Sequence, residues 1–452
     1  MPKNSPVFLL MILFLASLCL PLKGDGLEKG RLADEVIKEF LHAWNNYQKY
    51  AWGHDALKPL TRTYRDWYPA SLLMTPVDAL DTMILMGLKD EAGTAKALIF
   101  EKLHFDHDFY VQNFEITIRI LGGLITAYQM DGDRRFLKLA VDLANRLLPV
   151  FNSPTGMPYK MVNLKTGKTR DPRNNPAEIG TLILEFGTLS KLTGNVKYYQ
   201  AAKKAVMELY ERRSKINLVG SVIDVESGQW ILTGSHVSGM IDSYYEYLLK
   251  AWKLFGDDDF KTMWQTSITA VNRYLADFTP SGLWYGHADM HTGRRTRTWT
   301  GALDAFLPGV LVLGGDLERA KKLQDSNFKM WNLYGIEPET FDYRKMKGVR
   351  FTYALRPENI ESSCYLYQAT GDEKYLEMGR SFFESIRKYC RVSTGYTHLA
   401  DVRTGEKADG MQSFFLAETL KYLYLLFAPA DTLDFRKVIF NTEAHPIFRT
   451  WE

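Results

Sequence analysis

From about residue 29 onward, apolar side chains recur at i, i+3, i+4 and i+7 in one segment after another, with polar clusters between the segments. The pattern predicts about fourteen helices, near residues 29–50, 76–88, 90–103, 112–130, 133–149, 177–193, 195–213, 239–255, 257–277, 301–313, 316–333, 357–370, 372–389 and 412–427. Several end on similar punctuation: Asp131-Gly132-Asp133, Thr193-Gly194-Asn195, Phe255-Gly256-Asp257, Gly314-Gly315-Asp316 and Thr370-Gly371-Asp372. These glycines are spaced 62, 62, 59 and 56 residues apart, so the chain repeats one supersecondary unit.

After each second helix comes a polar loop holding a short extended piece and a turn, at residues 162–167, 222–228, 288–293 and 400–405, which predicts small hairpins on one rim. First helices of the pairs are the more apolar, as in Phe114-Glu115-Ile116-Thr117-Ile118-Arg119-Ile120-Leu121-Gly122-Gly123. Second helices, such as residues 198–213, are amphipathic and charged. The former suit an inner wall and the latter a solvated outer one. Helix pairs of one hand can stack openly or close, and the lack of a Pro/Gly-rich linker favours closure. The expected fold is all-α: one (α/α)7 toroidal barrel spanning residues 25–452, with short β-hairpins on one rim.

Composition adds little beyond a globular class, with 46% hydrophobic and 24% charged residues. Residues 1–24 carry Lys3, an apolar run over 7–19 and then Pro21-Leu22-Lys23-Gly24, the pattern of a secretory signal peptide too short to span a bilayer. Its removal takes away Lys3 and Lys23 and lowers the formal charge from +3 to +1, which gives no reason to expect nucleic acid or stable membrane insertion. Cys364 and Cys390 lie about seven residues before and about eighteen after the turn at Gly371-Asp372. Along helices rising about 1.5 Å per residue that separates them too far for a disulfide, whose Cα atoms must lie within about 7 Å. No Asn-x-Ser/Thr acceptor follows residue 24, which leans toward a prokaryotic, periplasmic or extracellular setting; in a eukaryote the export signal implies the secretory-pathway lumen.

Inner helices ought to be apolar, yet they carry Asp78, Asp81, Glu115, Glu178, Glu185, Asp242, Glu246, Asp304, Glu358, Glu361 and Glu418. Any one of these acids could cap a helix or pair with a neighbour. As a set converging from different repeats toward one axis, they predict a polar cavity. Glu115 and Arg119, Glu358 and Glu361, and Phe414 and Glu418 each share a helix face. Acids with aromatic walls suit a sugar site, the carboxylates moving protons and the rings covering apolar pyranose faces. Glu358 follows Arg356-Pro357 at an expected helix start, where the dipole favours the ionised form a general base needs. Glu115 has apolar flanks, which suit a proton donor, whereas Arg119 pulls the other way; the residues leave that balance open. There is no His-Glu-x-x-His, no zinc-like histidine spacing and no Gly-x-Ser-x-Gly. Gly167-Lys168-Thr169 lacks the first glycine of a phosphate loop, because Val162 stands there, and Arg294-Arg295-Arg297 reads as a solvated loop.

Five motifs resemble those of glycoside hydrolase family 47, the class I α-1,2-mannosidases, across essentially the whole mature chain. They are Val77-Asp78-Ala79-Leu80-Asp81-Thr82; Phe114-Glu115 with Ile118-Arg119; Asp242-Ser243-Tyr244-Tyr245-Glu246-Tyr247-Leu248-Leu249-Lys250; Leu355-Arg356-Pro357-Glu358 with Ile360-Glu361-Ser362; and Ser413-Phe414-Phe415-Leu416-Ala417-Glu418-Thr419 with Lys421-Tyr422-Leu423. The ending Phe440-Asn441-Thr442-Glu443-Ala444-His445-Pro446-Ile447 resembles the ER degradation-enhancing mannosidase-like branch. The resemblance implies a monomeric, inverting, calcium-dependent exo-α-1,2-mannosidase that trims mannose-containing oligosaccharides or N-glycans. It makes Glu115 the general acid, Glu358 the general base and Asp242 a third essential carboxylate of unassigned role. Arg119, Glu178, Arg356, Glu361, Phe414 and Glu418 would shape the terminal-mannose subsite, and Thr442 would hold Ca2+ through its hydroxyl and carbonyl oxygens. An inverting pair stands about 6.5–9.5 Å apart to admit water. The sequence departs from the glycan-processing members at Met240, where they tend to have arginine, at Gly301-Ala302, which replaces an Asp-His pair, and at Ala305, where a disulfide cysteine is missing. A mannose-binding, lectin-like protein without turnover is the alternative, and a helical-barrel hydrolase or lyase for another sugar is a third.

Overall fold

The computed structural model describes residues 23–451. The expected export segment therefore lies outside the described residues, apart from Lys23 and Gly24, which begin the helix Lys23–Ala51. All fourteen expected helical segments form and pack as seven pairs in an inner and an outer layer. The inner helices are, in order, Met74–Asp78 with Leu80–Leu85; Asn113–Ile116 running through Thr117–Leu121 into Gly122–Asp131; Pro176–Gly180 with Ile183–Thr193; Asp242–Phe255; Leu303–Phe306 with Leu307–Gly314; Glu358–Thr370; and Phe415–Thr419 with Leu420–Phe427. Their outer partners are Lys89–Lys102, Arg134–Leu147, Lys197–Glu211, Asp258–Tyr274, Leu317–Tyr334 and Lys374–Cys390, while the seventh is covered by Lys23–Ala51 from the other end of the chain. The ring closes where the seventh inner helix meets the first.

Burial follows the sequence pattern. Every residue of Leu420–Phe427 is buried, whereas Arg134–Leu147 buries only Phe136, Ala140, Leu143, Ala144 and Leu147 along one stripe. The punctuation glycines are helix caps: Gly132, Gly194, Gly256, Gly315 and Gly371 end inner helices with φ between 66° and 88°, a left-handed conformation that a side chain resists. The Asp that follows then starts the outer helix, Asp133 accepting from the Arg135 N–H, Asp257 from Asp259 and Asp316 from Arg319. One Gly-Asp step thus ends one wall and begins the next.

The four expected rim hairpins are present, each bent by an Asx turn. Asn163, Asp224, Asp289 and Asp401 accept backbone N–H groups two or three residues on, and Gly167, Gly228, Gly293 and Gly405 supply the left-handed residue. A fifth copy at Asp342, with Met346 in the left-handed position, escapes the sequence pattern because it lacks the glycine. Since hairpins follow outer helices and precede inner ones, this rim carries the inner-helix N-termini. At the opposite end, Val438–Phe440 and Pro446–Phe448 form an antiparallel hairpin inside the ring. It runs up the second inner helix, from Gln129 beside Phe448 to Ile118 beside Asn441. Gly122 and Gly123 allow that approach, because a Cβ on Gly122 would lie 2.6 Å from Asn441 Nδ2.

Helix starts differ from the periodic reading where backbone conformation intervenes. Met240, with φ 79°, delays the fourth inner helix to Asp242, and Leu355, with φ 63°, precedes the turn into Glu358. Cys364 and Cys390 are buried and free.

Candidate active site

The first turns of the inner helices converge on a cavity of about 280 Å³, near the roughly 300 Å³ at which small-molecule pockets begin. All ten expected residues line it: Glu115, Arg119, Glu178, Asp242, Arg356, Glu358, Glu361, Phe414, Glu418 and Thr442. Glu246 and Glu443 line it as well, which brings eight carboxylates against two guanidiniums. Two of these residues, Arg119 and Glu418, sit on single π-turns, Thr117–Leu121 and Phe415–Thr419, an arrangement that re-aims side chains from an otherwise regular helix.

Glu358 opens its helix as the first residue after Pro357. Its Oε2 has no partner among the described residues, and its Oε1 lies 3.9 Å from Arg356. Burial pushes it up to about 7, and Glu339 and Asp242 add to that against Arg356. Asp242 accepts from the Ser243 N–H at 2.8 Å. Burial pushes it too up to about 7, with Glu246 and Asp304 reinforcing the shift. Glu115 accepts from Arg119 Nε at 3.0 Å. Three carboxylates are therefore held in three different ways: by a cation, by a backbone donor, and by the backbone alone.

Arg119 also lies 3.6 Å from Asp78 and is in direct contact with Glu443, with its guanidinium over Trp67 and Phe414. Arg356 flanks the same Phe414 ring and is gripped by Glu339 at 2.6 Å. Both guanidiniums thus lie within about 6 Å of the Phe414 ring, which lines the cavity. Glu178 makes a reciprocal cap with Asn175: the Glu178 N–H donates to Asn175 Oδ1 at 3.0 Å, and Asn175 Nδ2 donates to Glu178 Oε1 at 2.9 Å. Glu361 accepts from Tyr422 at 3.2 Å; burial, then Glu246 and Glu358, push it up to about 8 although Lys250 opposes. Glu246 is paired with buried Lys250. Met240, Leu303 and Phe306 make an apolar side to the cavity.

Four of the candidate acids do not face the cavity. Asp78 and Asp81 clamp His445, at 3.2 and 2.8 Å, and Lys421 reaches Asp81 at 2.8 Å and the Ala444 carbonyl at 2.6 Å. Glu185 accepts from Tyr247 and Asn441. These three fasten the C-terminal hairpin, so ordinary pairing describes them. Asp304 is buried beside the wall formed by Leu303 and Phe306. Glu443, absent from the expected site, sits within the quoted Asn441-Thr442-Glu443 motif; Asn175 could have been found from its spacing to Glu178.

A closed ring of helix pairs that delivers paired carboxylates and an aromatic side chain to one pocket supplies the groups that glycoside hydrolysis needs. The chain belongs to glycosyl hydrolase family 47, whose sequence model matches residues 39–449. It is 38% identical over 450 residues to alpha-mannosidase I MNS5 of Arabidopsis thaliana, covering 93% of this chain and 77% of that protein. It is also 38% identical over 456 residues to the human ER degradation-enhancing alpha-mannosidase-like protein 3, covering 92% of this chain and 48% of that one. The fold superposes on the alpha-1,2-mannosidase from Trichoderma reesei with a TM-score of 0.85 at 29% identity, covering 93% and 99% of the two chains. All three are eukaryotic proteins, and they lend no support to the prokaryotic source suggested by the absent sequons.

Proposed function

We propose that this protein is a calcium-dependent, inverting exo-α-1,2-mannosidase that removes terminal mannose from oligosaccharides in a secretory-pathway lumen. The observation that carries the reading is that Glu115, Asp242 and Glu358, from three different helix pairs, line one cavity with Thr442. Glu358, with an unpartnered oxygen, is suited to take a proton from water. Glu115, backed by Arg119, faces the same space as donor to the departing oxygen, and an inverting pair needs no covalent intermediate. Asp242 lines the cavity beside them, bound to the Ser243 N–H, as a third carboxylate of unassigned role. Glu178, Glu361, Glu418 and Arg356 supply hydroxyl partners, and Phe414 a face for the ring.

The donor set at the cavity floor fits calcium. Acids outnumber cations around Thr442, and burial together with repulsion from Glu443 and Glu358 drives Glu418 well above the usual carboxylate range, a strain that a divalent cation relieves. Among the described residues no group of three His, Cys, Asp or Glu forms a metal cage. A cation here would rest on Thr442 oxygens, with water completing the shell. When bound, it would orient the hydroxyls of the terminal sugar. No helix among the described residues is long and apolar enough to cross a membrane.

The test is release of mannose from α-1,2-, α-1,3- and α-1,6-mannobiose, with the anomer read by NMR. Hydrolysis of the α-1,2 linkage alone, with β-mannose first and activity lost to chelator and restored by Ca2+, is the expected result. Glu358→Gln should lower kcat by about 10²–10⁴-fold. Sugar binding without turnover would replace this reading with a lectin-like one.

A further inference from the structure

No other side chain among the described residues hydrogen-bonds the Glu358 carboxylate, so its position must come from the backbone on either side of it. That backbone is held by one short segment, Glu337-Pro338-Glu339, in the loop after the outer helix Leu317–Tyr334. Two residues before Glu358, Arg356 is bound by Glu339, Nη2 to Oε1 at 2.6 Å and Nε to Oε2 at 3.3 Å. One residue after it, Asn359 Nδ2 donates to Glu337 Oε2 at 2.9 Å. Asn359 is pinned from its other side as well, Gln324 Nε2 donating to its Oδ1 at 2.9 Å and to its carbonyl at 3.1 Å. Pro338 fixes its own φ and holds Glu337 in an extended conformation, so the two glutamates are presented as a rigid pair. Glu337, Asn359 and Gln324 are all fully buried.

We propose that Glu337 is a positioning residue for Glu358: with Glu339 it forms a clasp that brackets the general base through Asn359 on one side and Arg356 on the other. The inference rests on the reading of Glu358 as base. Glu337 is a carboxyl where a plain amide would satisfy Asn359, and its Oε1 is buried without a partner among the described residues. The charged groups facing it are Glu358, Glu339 and Arg356, with the Tyr353 hydroxyl nearby. Burial, then Glu358 and Glu339, push it up to about 8, so at neutral pH it is protonated and clasps without repelling the base.

The experiment compares Glu337→Leu, Glu337→Asp and Glu337→Gln. kcat is expressed per binding-competent site, counted by titration with a mannose-configured iminosugar, so that misfolded molecules do not enter. Glu337→Leu leaves Asn359 Nδ2 without its acceptor and should lower kcat about tenfold with KM nearly unchanged, the size of effect that sub-ångström misplacement produces. The acid limb of its pH profile should move down by about one unit as the loosened Glu358 hydrates. Glu337→Asp, the milder change, should fall between, and Glu337→Gln, which keeps the acceptor, should recover most of the rate. Full per-site kcat in Glu337→Leu or Glu337→Asp, or no recovery in Glu337→Gln, overturns the clasp. Glu358→Gln in the same series separates the two readings: if it is active, the base assignment falls and the clasp with it; if it is inactive while Glu337→Leu is fully active, only the clasp falls.

Discussion

Arg119 and Glu443, 324 residues apart in the chain, are joined in a buried ion pair in the lining of the cavity. The same guanidinium holds Glu115, so the C-terminal hairpin is tied directly to the carboxylate proposed as proton donor. Glu443→Ala should lower unfolding stability by about 3 kcal/mol, the lower end for breaking a buried pair, since Asp78 and Glu115 still face the orphaned cation. Denaturant midpoints check this, and an unchanged midpoint would mean that the pair contributes nothing.

The acid and base can be told apart by leaving group. On a disaccharide, Glu115→Gln should lose about 10²–10⁴-fold in kcat. On an aryl α-mannoside, whose phenol departs without a proton, most of that loss should vanish, whereas Glu358→Gln should be impaired equally on both. Equal impairment of Glu115→Gln on the two substrates would reassign the donor, with Asp242 next in line.

His445 predicts a pH dependence of stability. Burial alone would depress its pKa, but Asp81 and then Asp78 override that and raise it to about 9. A raised histidine stabilises fully below its unfolded value of about 6.5, and the contribution is lost as pH climbs through about 9. The difference in stability between wild type and His445→Gln, with calcium chelated, should therefore be largest near pH 6. It should shrink by on the order of 3 kcal/mol by pH 10. Buried acids that do not touch His445 cancel in the comparison, which leaves His445 with its two partners Asp81 and Asp78. A difference that is flat with pH would show that folding leaves the His445 pKa unshifted.

Gly122→Ala places a Cβ 2.6 Å from Asn441 Nδ2 and 3.2 Å from the His445 ring. Asn441 cannot yield cheaply, because its amide is already bound to the Ile118 carbonyl and to Glu185. The substitution should cost about 1–3 kcal/mol and weaken calcium affinity by disturbing the Thr442 loop. Gly30→Ala, with nothing within 4 Å, serves as the control and should stabilise its helix by about 0.5–1 kcal/mol. Similar melting temperatures for the two variants would show that the hairpin packs loosely.

Helix number, the inner and outer faces and the rim turns were legible because each follows from local chemistry: apolar period, Gly-Asp caps and Asx turns. The pairing of Lys23–Ala51 with the last inner helix was not, since nothing local in residues 29–50 distinguishes an outer helix that closes a ring from one that begins a row. Of the acids, periodicity placed Glu115 and Glu358 on inner helices but could not separate them from Asp78, Asp81 and Glu185, which share the same pattern and grip the hairpin instead. That distinction depends on partners hundreds of residues away, His445 and Asn441. Glu337 was invisible for a related reason: it lies in a loop without period, and only its distance to Asn359 gives it meaning.

Because the pocket's wall is sealed by helices far apart in the chain and its bottom by residues 438–448, translation must pass residue 448 before the cavity is complete. A nascent chain that has not yet released the last inner helix is an open crescent, and one halted just short of the hairpin is a bottomless ring. A chain cut before residue 448 lacks a strand of the hairpin that carries Thr442 and Glu443 and is expected to be inactive however well its earlier helices have folded.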